Sequence, residues 1–113
     1  MNKPYQEFEV NGNDYKLYYD VASIKKYIEI TDKYQLMIKS FLKKPEHKLT
    51  DRDRNKVYQA SKYALDGFFG KGSFKTIYQS TDNDLDQVAD VINDILDWLN
   101  GKVKELEQKG VMY

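Results

Sequence analysis

A chain of 113 residues suits one domain spanning residues 1–113, with a core that needs no metal or disulfide staple. It holds no cysteine and a single histidine, His47, which excludes disulfide frameworks, thiolate chemistry and histidine-rich metal sites. No apolar run approaches the roughly 20 residues of a membrane span, and the opening MNKPYQEFEV lacks the apolar stretch of a secretory signal, so the composition predicts a soluble protein of the cytoplasm.

The formal charge is zero but unevenly spread. Residues 33–75 carry eleven Lys/Arg against four acids, a net of +7, whereas residues 76–113 carry three Lys against eight acids, a net of −5. Such segregation marks either a polyanion-binding surface in the middle segment or basic and acidic segments that face each other. The second reading is favoured, because charges at helical spacing usually form a solvated face.

In chain order, the elements begin with a hairpin over residues 1–19. Tyr5 to Val10 alternates Tyr, Phe and Val with Gln and Glu, the period of a half-buried strand. Asn11-Gly12 tolerates positive φ, and Tyr15 to Tyr19 resumes a β-rich run. A lone hairpin is marginal in water, so its Phe8, Val10, Tyr15 and Leu17 side must rest on helices or on another chain.

A helical part over residues 20–108 follows. Asp20 is the expected N-cap of a first helix, with Val21, Ile24, Ile28, Met37, Ile38, Phe41 and Leu42 as its apolar stripe. Thr31-Asp32 is a point of interruption, since both side chains compete for backbone bonds, and Pro45 ends the helix. After the polar link Glu46-His47-Lys48, Thr50 and Asp53 form a variant of the capping box. Val57, Tyr58, Ala60, Ser61, Ala64, Leu65 and Phe68 continue a second helix until Gly67, Gly70 and Gly72 break it.

Ser73 is the expected cap of a short helix holding Phe74, Ile77 and Tyr78. The last helix starts near Asp82 or Asp84, with Leu85, Val88, Ile92, Ile95 and Leu99 on one stripe and Asp82, Asp86, Asp90, Asp94 and Asp97 opposite. The C-terminal end, Lys102 to Tyr113, loses its apolar period after Leu106 and is expected to fray, with residues 109–113 as a tail. The fold class predicted is mainly α with an N-terminal β-hairpin (α+β), a small bundle of three to four helices.

No catalytic, cofactor-binding or metal site emerges from these residues. Gly67 to Ser73 has a phosphate loop's glycine content, yet lacks the GxxxxGK[ST] spacing and a preceding strand, so it reads as a helix end and sharp corner. Regular i, i+4 aspartates opposite the core read as a solvated face rather than paired catalytic carboxyls. Asp82-Asn83-Asp84-Leu85-Asp86 begins like a calcium loop but lacks the glycine and glutamate that complete one. His47 reads as a surface histidine, and Ser61 and Ser73 have no nucleophile setting. An enzyme is therefore not expected.

Ten tyrosines in this chain are the unusual feature of its composition. Tyrosine buries an apolar ring and keeps a hydroxyl to bond, which suits interfaces. The expected partner-binding corner is Phe68, Phe69, Phe74, Ile77 and Tyr78, partly packed internally and partly available for contact. The alternative is a nucleic-acid patch of Arg52, Arg54, Lys56, Tyr58, Lys62 and Tyr63, with rings stacking on bases and cations on phosphates.

The strand pair FEVNGNDYKLYY, the helix DVASIKKYIE and the corner GFFGKGSFKTIYQ before an acidic amphipathic helix resemble tail assembly chaperones of long-tailed, siphovirus-type bacteriophages and prophages. The likeness runs from Phe8 to Leu99, with Asn11, Gly12, Tyr15 and Leu17 matching the family's NG-x-x-Y-x-L opening. It implies a non-enzymatic, cofactor-free role in viral morphogenesis. Such a chaperone coats the long helical tape measure protein and keeps it soluble until tail tube subunits polymerise around it. The tail tube protein and further copies of the chain are the other candidate partners. The resemblance also implies residence in the bacterial host's cytoplasm and absence from the mature virion. The alternative class is a small nucleic-acid-binding phage protein that uses the basic 33–75 segment.

Overall fold

The computed structural model describes residues 3–40 and 48–110. The described residues have the expected α+β architecture: a two-stranded antiparallel hairpin followed by four helices. Strands β1 (Tyr5–Val10) and β2 (Asn13–Tyr18) pair with Phe8 opposite Tyr15 and Val10 opposite Asn13. Asn11 and Gly12 both have positive φ, 51° and 89°, the backbone of a type I′ turn whose twist matches the flanking strands. This register puts Gln6, Phe8, Val10, Tyr15 and Leu17 on one face. Val10 and Leu17 are buried there, each contributing about 2 kcal/mol of apolar burial.

Helix α1 (Val21–Ile38) starts where Asp20 accepts a hydrogen bond from the Ser23 amide at 3.2 Å. A side-chain hydrogen bond with Ser23, aided by the amide bond of the cap, holds the Asp20 carboxyl below its ordinary range. Contrary to expectation, Thr31-Asp32 does not interrupt the helix. Ile30 and Tyr34, on either side of that pair, are both buried in the core, and their packing outweighs the local competition of two polar side chains. The buried stripe is Ile24, Tyr27, Ile30 and Tyr34, whereas Val21, Ile28, Met37 and Ile38 are only partly buried at its edge. Two tyrosines thus do work assigned by periodicity to aliphatic residues. Phe41, Leu42, Pro45, Glu46 and His47 lie outside the described residues.

Helix α2 (Asp51–Phe69) opens with the complete capping box. The Asp53 amide donates to Thr50 Oγ1 at 3.1 Å, and the Thr50 amide donates to Asp53 Oδ2 at 3.2 Å. Gly67 does not break this helix. A Cβ there would lie 2.8 Å from Ile30 Cδ1, so the glycine is what lets α1 and α2 approach. The helix ends at Gly70, whose φ of 111° is open to glycine at little cost.

Helix α3 (Ser73–Ser80) begins after Gly72, and Ser73 is its first residue rather than its cap. Asp66 from α2 does the capping instead, its Oδ1 accepting from the Phe74 amide at 2.9 Å. Helix α4 (Leu85–Gln108) is capped by Asp84, which accepts from the Asp86 and Gln87 amides. Val88, Ile92, Ile95 and Leu99 form its buried stripe. The helix does not fray from Lys102 onward: Val103 and Leu106 pack against the core, and the Lys102 ammonium sits 4.7 Å from the Tyr19 ring centre. Residues 111–113 of the expected tail lie outside the described residues. One continuous core joins the hairpin's inner face to all four helices. No described helix is long and apolar enough to cross a membrane.

Candidate functional site

The α2–α3 corner points its aromatic side chains in two directions. Phe68 is buried edge-on against Tyr27, with ring centres 5.7 Å apart. Phe69, the next residue, faces the hairpin. It stacks on Tyr15 at 4.5 Å and meets Phe8 at 6.4 Å. Phe8 in turn meets Trp98 of α4 edge-on at 6.2 Å, and Trp98 Nε1 donates to Gln6 Oε1 at 3.1 Å. Phe69 is therefore the anchor on which the hairpin rests. Burial pushes the Tyr15 phenol above its ordinary value.

On the other side of the corner, Phe74 and Ile77 are buried and Tyr78 is half-buried. Tyr78 stacks on Phe74 at 5.2 Å, and Tyr58 of α2 closes the cluster edge-on at 4.9 Å to Phe74 and 5.3 Å to Tyr78. Tyr58 and Tyr78 floor an open groove of about 690 Å³. Leu49, Arg54, Asn55 and Val57 form one wall, and the turn from Asp82 to Asp86 forms the other. Leu49, Val57 and Leu85 are half-buried, yet none of the three belongs to the core of the described residues. Among the described residues, these apolar side chains thus border the cleft rather than join the core.

The turn that makes the second wall is held in an uncommon backbone. Asp82 and Asn83 have φ of 55° and 62°, left-handed values that Asp and Asn tolerate better than most residues. Buried Thr81 braces them: its Oγ1 donates to the Tyr78 carbonyl at 2.9 Å and accepts from the Asp84 amide at 3.3 Å. Two consecutive non-glycine residues in this region are costly enough to mark a wall of defined shape. Periodicity marks Leu85 as part of the α4 apolar stripe and Asp82 and Asp86 as part of its acidic stripe, and it identifies none of Leu49, Asn83 and Leu85 as groove residues. A run of Asp and Asn directly after a helix is the local signal for such a turn.

The five corner residues thus divide. Phe68, Phe74 and Ile77 are core, Phe69 holds the hairpin, and Tyr78 alone opens on the groove. The six residues of the nucleic-acid patch do not form one surface either. Arg54 and Tyr58 line the groove, whereas Lys62 and Tyr63 border a separate depression beside Gly67. At about 100° per residue, Arg52, Lys56 and Tyr63 point away from Arg54 and Tyr58. The Tyr63 ring already carries the Lys33 ammonium 4.7 Å from its centre. A different set of lysines, Lys3, Lys16, Lys26 and Lys71, borders a second open groove of about 830 Å³ between the hairpin and the corner.

The remaining candidate chemistry is occupied or scattered. The α3 amide terminus that a phosphate would seek is already bonded to Asp66. Asp84, central to the partial calcium loop, spends its carboxylate on the Asp86 amide and on Gln87 Nε2. No three acidic or imidazole groups converge to hold a metal among the described residues. Asp86, Asp90, Asp94 and Asp97 are exposed along α4, opposite its buried stripe. Ser61 Oγ is buried and bonded to no described group. No protein-family model, curated protein or solved structure matches the chain.

Proposed function

We propose that this protein is a non-enzymatic assembly chaperone of the phage-tail type, which binds an amphipathic helix of a long client in the groove between Tyr58 and Tyr78. The client is a tape measure protein, held soluble in the host cytoplasm until tail tube subunits replace the chaperone. One observation supports this reading: among the described residues, Leu49, Val57 and Leu85 border the Tyr58–Tyr78 groove without belonging to the core. The order of hairpin, helix, FFGKGSFKTIY corner and acidic helix supports the choice of client.

Helix-in-groove docking places apolar residues at i, i+3 and i+4 against such a floor. Weak binding at each groove is offset when many copies line one client. The test is co-expression with the tape measure protein of the same gene cluster. Wild-type protein keeps the client in the soluble fraction, and Leu49→Lys combined with Leu85→Lys does not, although its helical content is unchanged. Equal rescue by the two proteins overturns the reading.

A further inference from the structure

We infer that the helix held in this groove is cationic, with Lys or Arg residues placed one turn from its apolar anchors. The inference rests on the docking reading above and adds the charge of the ligand.

Among the described residues the groove is lined by helices α2 and α3, by Leu49 and by the tight turn into α4, and no strand borders it. No strand edge is offered to an extended peptide, so the ligand must bring its own satisfied backbone, which a helix does. The turn wall then presents three aspartates. Asp84 is consumed by capping. Asp82 and Asp86 are exposed at the rim, and among the described residues neither forms an ion pair. Arg54 lines the same groove but bonds neither of them. The left-handed backbone of Asp82 and Asn83 holds this acidic rim beside the apolar floor. Two unpaired carboxylates bordering tyrosine rings complement a ligand that carries cations beside apolar side chains, and they repel an acidic one.

The experiment uses three synthetic helical peptides with one shared Leu/Ile face and flanks of Lys, Gln or Glu. Each is labelled and titrated with the full-length protein by fluorescence anisotropy. The Lys peptide binds about tenfold more tightly than the Glu peptide at low salt, as expected for two rim contacts, and the preference shrinks as salt rises. Asp82→Asn with Asp86→Asn abolishes the preference between the Lys and Glu peptides. Leu49→Lys with Leu85→Lys loses all three peptides.

Equal binding of all three peptides, unaltered by the Asn substitutions, overturns the charge inference and leaves the docking reading standing. Failure of every peptide to bind overturns both. Sedimentation supplies the remaining arm: a wild-type dimer that Leu49→Lys dissociates places a second copy in the groove, and that also overturns the proposal.

Discussion

Tyr15 and Phe69 lie stacked with ring centres 4.5 Å apart and planes inclined by 17°, and through this pair the hairpin is fastened to the end of α2. The contact joins residues far apart in sequence across two elements that are marginal alone. It also explains why two adjacent phenylalanines have different environments: Phe68 enters the core, while Phe69 receives the hairpin.

Phe69→Ala is accordingly a hairpin mutation. Removing a half-buried ring with two aromatic partners costs about 2 kcal/mol. Amide exchange across Tyr5–Tyr18 should accelerate more than exchange in α4. Peptide binding in the Tyr58–Tyr78 groove should remain unchanged, because Phe69 lies on the other side of the corner. Loss of peptide binding with normal hairpin protection would contradict this division.

Gly67→Ala sets helix propensity against packing. The substitution gains about 1 kcal/mol of intrinsic helix preference, but its Cβ meets Ile30 Cδ1 at 2.8 Å and Cγ1 at 3.2 Å. Ile30 is itself buried, so it has little room to yield, and overpacking of this kind costs about 1–3 kcal/mol. Net destabilisation of about 1 kcal/mol is expected by urea denaturation. In an Ile30→Val background, which removes the nearest carbon, Gly67→Ala should become neutral or stabilising. Simple additivity of the two changes would show that this contact is not the cause.

Asp20 and the tyrosines place opposite limits on stability with pH. The Asp20 carboxyl is lowered mainly by its hydrogen bond with Ser23. Its stabilising effect is therefore present above the ordinary carboxylate value and is lost as pH falls through the lower folded value. Asp20→Ala should cost about 1 kcal/mol at neutral pH, and its denaturation midpoint should converge with wild type in acid. A gap that persists in acid would mean that the cap is not electrostatic.

Burial raises the phenols of Tyr27 and Tyr34 above their usual 10.0. The folded chain keeps protons that the unfolded chain releases, so this contribution is complete below pH 10.0 and is lost as pH rises through the higher folded values. Ionisation of Tyr27 and Tyr34 should coincide with loss of helical circular dichroism, and Tyr34→Phe should diminish the absorbance change that accompanies that loss. Complete ionisation of all tyrosines before any loss of helix would contradict the burial of this pair.

Nucleic acid provides a further check. Because Arg52, Lys56 and Tyr63 point away from Arg54 and Tyr58, no retardation of single-stranded DNA is expected in a gel shift at about 0.15 M salt. Binding that weakens steeply with salt and falls in Arg52→Ala, Lys56→Ala and Arg54→Ala alike would restore the basic segment as the working surface.

Sequence alone determined whatever is decided within a turn or two of backbone. The Asn11-Gly12 hairpin, the Asp20 and Asp84 caps, the Thr50–Asp53 box and the α4 stripe all depend on neighbours in the chain, so residue type and spacing identify them. Tertiary structure decided everything that depends on which faces meet. It made Gly67 an interhelical contact instead of a break, carried α1 through Thr31-Asp32, recruited Tyr27 and Tyr34 into the core, and separated Phe69 from Tyr78. It also assembled a cleft from Leu49, Tyr58, Tyr78 and Leu85, residues of four different segments. Burial is a property of pairs distant along the chain, and periodicity shows that a face is apolar without showing what will cover it.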